Sequence, residues 1–147
     1  MGKAVIHRQG EGERYSAGSS VILIKATGDD TAGSFFLSET TIEPGFPGPP
    51  PHRHEHLHDM FYVLDGVLTM RLRDETYEIG AGTFVCVPPG VTHTFSNASD
   101  APVRFLNFNT PAGWENYMRD LGEAAKGGSL TPEVIGRIAS RYDFQAA

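Results

Sequence analysis

The chain has 147 residues, 39% of them hydrophobic, and a formal net charge of −6. That size and balance suit one ordinary domain with a real core and exclude disordered and fibrous classes. Acidic charge without a basic run argues against nucleic-acid binding, and no stretch approaches membrane-spanning length. The first twenty residues hold no apolar run suited to a secretory signal, so a cytoplasmic protein is expected. The single cysteine, Cys86, rules out an intrachain disulfide. Its flanks Phe84, Val85 and Val87 predict a small buried side chain.

From residue 3 to about 110 the texture is short β-branched and aromatic runs. They are Val21 to Ile24, Phe35 to Ile42, Phe61 to Leu64, Val67 to Leu72, Phe84 to Val87, Thr92 to Phe95 and Val103 to Phe108. Each has strand length. Gly28-Asp29-Asp30, Asp65-Gly66, Arg73-Asp74-Glu75, Gly80-Ala81-Gly82 and Pro88-Pro89-Gly90 supply turn chemistry between them. Evenly spaced strands without interposed helices predict an all-β sandwich or barrel.

The pattern changes after Pro111. Trp114, Tyr117, Met118 and Leu121 form a helical stripe that Gly127-Gly128 ends. Thr131 is a predicted N-cap followed by Pro132 and Glu133, with Val134, Ile135, Ile138 and Tyr142 as the apolar face. Both helices are expected to pack on the outside of the barrel, with a lid or a dimer contact as the alternatives. Residues 1–147 thus read as one domain: a barrel over about 3–110 and a helical extension over about 112–143.

Four histidines, His52, His54, His56 and His58, fall in one short window, followed by Asp59. Strand residues two apart share a face, so His52 and His54 can aim two imidazoles at one point. His93 lies on a distant strand-like segment just after Pro88-Pro89-Gly90. A metal site needs ligands from separate strands converging, and this set can supply them. On a regular strand Asp59, Phe61 and Val63 share one face and His58 takes the other, unless a bulge intervenes. His56 reads as a solvated residue or one that supports the ligands without binding metal, and His7 as structural or surface.

These residues resemble the cupin superfamily. Its first motif, His-x-His, three or four residues, Glu, six residues, Gly, is matched by His52-Arg53-His54, Asp59 and Gly66. Its second motif is matched by Gly82, Pro88-Pro89-Gly90, His93 and Asn97. Two departures stand out: Phe46 replaces a motif glycine, and Asp59 replaces the longer Glu. The resemblance implies a double-stranded β-helix, or jelly roll, with one divalent transition metal ion among Fe, Mn, Ni, Co, Cu and Zn. His52, His54 and His93 are the implied ligands, Asp59 the first choice for a fourth and His58 the alternative. Asp59 could instead stay unbound and act as a base.

Phe36, Tyr62, Phe84, Phe95, Phe105 and Phe108 offer aromatic lining for a flat substrate. Pro49 to His54 and Phe61 to Gly66 resemble single-domain bacterial cupins related to quercetin dioxygenase, which implies oxygenation of an aromatic enolic molecule. Cupin-fold polyketide cyclases, in which a zinc-type ion polarises a carbonyl for aldol ring closure, are the second reading. A non-catalytic metal-bearing binding module is the third. The resemblance also implies a homodimer, since pairing covers exposed strand edges.

Overall fold

The computed structural model describes residues 3–17, 20–128 and 130–147. In chain order the elements are β1 (Glu13–Ala17), β2 (Ser20–Ala26), α1 (Gly28–Thr31), β3 (Phe36–Ile42), β4 (His52–Arg53), β5 (His58–Asp65), β6 (Val67–Leu72), β7 (Glu75–Gly80), β8 (Phe84–Val87), β9 (His93–Ser96), β10 (Val103–Thr110), α2 (Trp114–Lys126), α3 (Pro132–Ala139) and β11 (Gln145–Ala146). They form two antiparallel sheets, ordered β1-β2-β3-β10-β5-β8 and β11-β4-β9-β6-β7. This is the double-stranded β-helix expected from the sequence.

Period-two alternation decides which side chains enter the barrel. On β5 the buried residues are Asp59, Phe61 and Val63, while His58 and Tyr62 are exposed. On β10, Val103, Phe105, Asn107 and Asn109 are buried. Register then aligns Asn109 with Asp59 and Asn107 with Phe61 across the β10–β5 pair. The barrel core gathers Ile42, Phe61, Val63, Leu68, Met70, Val87, Val103 and Phe105. Burying each large side chain of this kind stabilises the fold by about 1.5–3 kcal/mol.

Gly66 turns the chain between β5 and β6 at φ +84°, a left-handed conformation that favours glycine. An added Cβ there would meet the Pro102 carbonyl oxygen at 2.5 Å. The motif Asn97 is likewise structural. Its amide donates to the Ile42 and Ala101 carbonyls, and its oxygen accepts from the Ser99 N–H and hydroxyl.

Four expectations change. Cys86 is exposed, because β8 is an edge strand that buries Val87 and turns Phe84 and Cys86 outward. Apolar neighbours misled here, since a two-residue period sends alternate apolar residues to opposite faces. The segment after Arg73-Asp74 continues into β7, and Gly28-Asp29-Asp30 opens the short helix α1. The C-terminal helices also do more than coat the outside. Trp114, Tyr117 and Leu121 of α2 and Ile138 and Ala139 of α3 form a second core with Ile22, Ile24, Phe36, Leu57 and Phe144. The α3 start follows the sequence reading, with the Thr131 side chain accepting from the Val134 N–H at 3.2 Å.

Candidate metal centre

His52 and His93 are direct cross-strand partners on β4 and β9, within one sheet. His54 lies just past β4, and its carbonyl accepts from the Gly90 N–H at 2.8 Å, which ties it to the turn preceding His93. Asp59 faces them from β5 of the opposite sheet. All four residues are buried, and one ligand atom from each lies within 4.8 Å of the others. Ligand atoms on one ion, at roughly 2.0–2.2 Å from it, are at most about 4.4 Å apart. The cluster is therefore close to coordination size.

The outer hydrogen bonds set the chemistry of the rings. Nδ1 of His52 faces the Pro50 carbonyl at 2.9 Å and Nδ1 of His93 faces the Val91 carbonyl at 3.0 Å. Nδ1 of His54 makes a short hydrogen bond to the Asp143 carbonyl. Carbonyl oxygens only accept, so each Nδ1 carries the hydrogen. In the neutral ring this leaves a lone pair on every Nε2, the form a metal ion takes up.

Asp59 is held in a complementary way. Its Oδ1 accepts from the Asn107 and Asn109 amides at 2.8 and 2.7 Å. Its Oδ2 stands 2.9 Å from His93 Nε2 and 3.5 Å from His54 Nε2. One oxygen is occupied by amides, and the other faces the imidazoles. Burial opposes ionisation of Asp59, but hydrogen bonds from His54 and His93 prevail and hold the carboxyl well below the usual carboxylate range. Burial, reinforced by the neighbouring His93, pushes His52 down to about 3, so it is neutral. Burial would also lower His54, but the hydrogen bond and charge of Asp59 override it and raise the value. The Asp59 carboxylate thus sets a negative charge beside the His54 and His93 rings, the charge that a divalent ion held there would meet.

Of the other histidines, His56 and His58 are exposed. His58 points away from the cluster on the opposite face of β5, so the four-histidine alternative lacks its fourth ring. His7 is also exposed. Several supporting residues escape a reading for ligands. Asn107 and Asn109 were visible only as polar positions on the inward face of an otherwise apolar strand. Phe144 stacks on His52 with ring centroids 4.4 Å apart, and Trp114 meets His54 edge-on at 5.1 Å. Asp143 lies 89 residues from His54. Its own carboxyl is held low: burial opposes this, but N–H donors from Glu55, His56 and Leu57 prevail. No local pattern signals these contacts.

A cavity of about 300 Å³ opens beside the cluster, with His52 and Asp59 on its wall. Phe46, Phe95, Phe105, Trp114, Tyr117 and Met118 give it an apolar, largely aromatic lining. Only Phe95 and Phe105 of the six aromatics singled out from the sequence line it. Phe36 belongs to the core under the helices, while Tyr62 and Phe84 are exposed. Phe84 stacks with Phe108 at 6.3 Å. The helices supply Trp114 and Tyr117 and so wall the cavity, as a lid would.

Residues 38–109 match the Cupin domain family. With the two sheets and the buried histidine cluster, that match defines this part of the chain as a cupin domain. A quercetin 2,3-dioxygenase from Bacillus subtilis is 36% identical over 90 residues, covering 60% of this chain and 26% of the relative. The chain thus spans about a quarter of that protein's length. The polyketide cyclase RemF from Streptomyces resistomycificus is 27% identical with a TM-score of 0.62, covering 75% of this chain and 80% of that one. KdgF from a Halomonas species has a TM-score of 0.64 at 15% identity, covering 79% and 99%. At that identity it shows the fold alone.

Proposed function

We propose that this chain is a metal-dependent enzyme acting on a small aromatic or enolic organic molecule, as an oxygenase of the quercetin dioxygenase-like type. The observation that carries the reading is the donor set: three imidazole Nε2 atoms and one carboxylate oxygen, beside an aromatic-lined cavity. Nitrogen and oxygen donors without thiolate suit Fe, Mn, Ni, Co, Cu or Zn. His52, His54, His93 and Asp59 would hold the ion. Once bound, it would supply Lewis acidity and, if redox-active, a path for electrons between substrate and dioxygen.

The chain's own residues do the rest. Phe95, Phe105 and Trp114 offer flat faces to a planar molecule. Tyr117 and Met118 of α2 and Ile135 of α3 wall the cavity and exclude water. Asp59, kept ionised with Oδ1 saturated by two amides, serves better as a ligand than as a base. The exposed His58 weakens the four-histidine arrangement that would favour a cyclase. The likeness to RemF, which covers most of both chains, keeps aldol ring closure as the second reading.

The test loads metal-free protein with each candidate ion and follows dioxygen uptake with a flavonol probe. Uptake dependent on a redox-active ion is expected. Turnover of a polyketide-like probe under strict anoxia would replace this reading with the cyclase. An unchanged small molecule recovered from the purified protein, with no turnover of either probe, would indicate a binding module.

A further inference from the structure

We propose that Asp143 is a positioning residue for the metal centre, acting through His54 and the loop that joins His54 to Asp59. The proposal rests on the metal reading of the histidine cluster.

One residue gathers the polar groups of four consecutive positions. The Asp143 backbone carbonyl accepts the His54 Nδ1–H. Its Oδ1 accepts the Glu55 N–H at 2.6 Å, and its Oδ2 accepts those of His56 and Leu57 at 2.9 and 3.0 Å. These residues fill the gap between β4 and β5, so they set the spacing of His54 relative to Asp59. Leu57 is buried in the core shared with Ile138, Ala139 and Phe144, which fixes the far end of the loop. Among the described residues no ion pair joins Asp143 to Lys or Arg. Its carboxylate is committed to the loop.

The residues after Asp143 act on the first histidine of the cluster. Phe144 stacks on the His52 ring at an interplanar angle of 14°. Ala146 pairs with His52 and Gln145 with Arg53, and the Ala147 N–H donates to the Pro51 carbonyl. Two of the three imidazoles are thus oriented by one short segment. Ring orientation governs metal affinity, since a misdirected lone pair must be turned back when the ion binds.

A purely structural role is the competing explanation, because Asp143 follows a helix packed on the core. The experiment separates the two. Full-length wild type, Asp143→Ala, Asp143→Asn and Asp120→Asn are stripped of metal. Asp120 accepts the Tyr142 hydroxyl, so its substitution loosens the same region without touching the ligands. Affinity for Zn²⁺ and Co²⁺ is measured by competition with a chromophoric chelator. Co²⁺ d–d absorption and the melting temperature of the metal-free forms are recorded alongside.

Asp143→Ala keeps the carbonyl that accepts from His54 but removes the three loop hydrogen bonds, and should weaken metal binding about 10-fold, the low end for a lost outer partner, and change the Co²⁺ spectrum. Asp143→Asn, which keeps one acceptor oxygen, should fall between it and wild type. Asp120→Asn should stay within about twofold of wild type. Wild-type affinity and spectrum in Asp143→Ala would overturn the proposal, whatever the melting temperature. If Asp143→Ala does not fold, an unchanged affinity in Asp143→Asn overturns it equally. Wild type that takes up neither ion would instead overturn the metal reading, and the proposal with it.

Discussion

Replacing Asp59 by Asn and His58 by Ala tests which side chain completes the candidate metal centre. Asp59→Asn conserves shape and leaves an amide oxygen to accept from Asn107 and Asn109. It removes the charge and places an N–H donor where Oδ2 now faces His93 at 2.9 Å. Substitutions in the outer shell of a metal site cost about 10–100-fold in affinity, so the direct loss of an anionic ligand should exceed about 100-fold. That is at least about 2.7 kcal/mol. His58 is exposed on the far face of β5, and surface changes of that kind fall within about 0.5 kcal/mol, or roughly twofold. The assay is chelator competition on metal-free protein, backed by elemental analysis and by melting curves of both variants. His54→Ala and His93→Ala provide the reference for a lost ligand and should sharply lower occupancy. Wild-type affinity in Asp59→Asn with a large loss in His58→Ala would refute the placement. Stoichiometric metal in His93→Ala would refute the site.

Thr40 lines the cavity from β3. Thr40→Phe should fill part of the 300 Å³ and abolish binding of an aromatic probe while metal content stays at the wild-type level. Loss of both would show that the cavity and the cluster are not separable. Gly66→Ala should destabilise by more than about 1 kcal/mol in denaturant unfolding, since the new Cβ meets the Pro102 carbonyl and φ is positive; an unchanged midpoint would contradict that geometry. In the metal-free protein His52 is neutral, pushed down to about 3 from an ordinary 6.5. Between those values the unfolded chain binds a proton that the folded chain refuses, so this residue's contribution to stability is lost as pH falls. Histidine NMR should find the His52 ring neutral at pH 5, and an inflection near 6.5 would contradict its burial. A homodimer is also expected, because β7 and β8 are sheet edges. Sedimentation at micromolar concentration should give a two-chain mass, and a one-chain mass would refute it.

Much of the site was legible because its geometry is periodic. His52 and His54 share a face by the two-residue repeat of extended chain, and the same repeat turns Asp59 inward and His58 outward. The helix stripe from Trp114 to Leu121 was equally plain, yet where that stripe lands was not. Amphipathicity says which face is buried but not against what. Cys86 failed for a related reason, since apolar neighbours cannot reveal whether an edge strand's outer face is covered.

By itself the sequence determined the strand and helix periodicities, the turn positions and the imidazoles that strand geometry could bring together. These depend on residues a few positions apart, where backbone geometry alone dictates direction. Only the tertiary structure decided that Asn107 and Asn109 saturate one Asp59 oxygen, that α2 walls the cavity, and that Asp143 and Phe144 hold the histidines. Those contacts join distant positions through packing, and no local repeat encodes the distance between them.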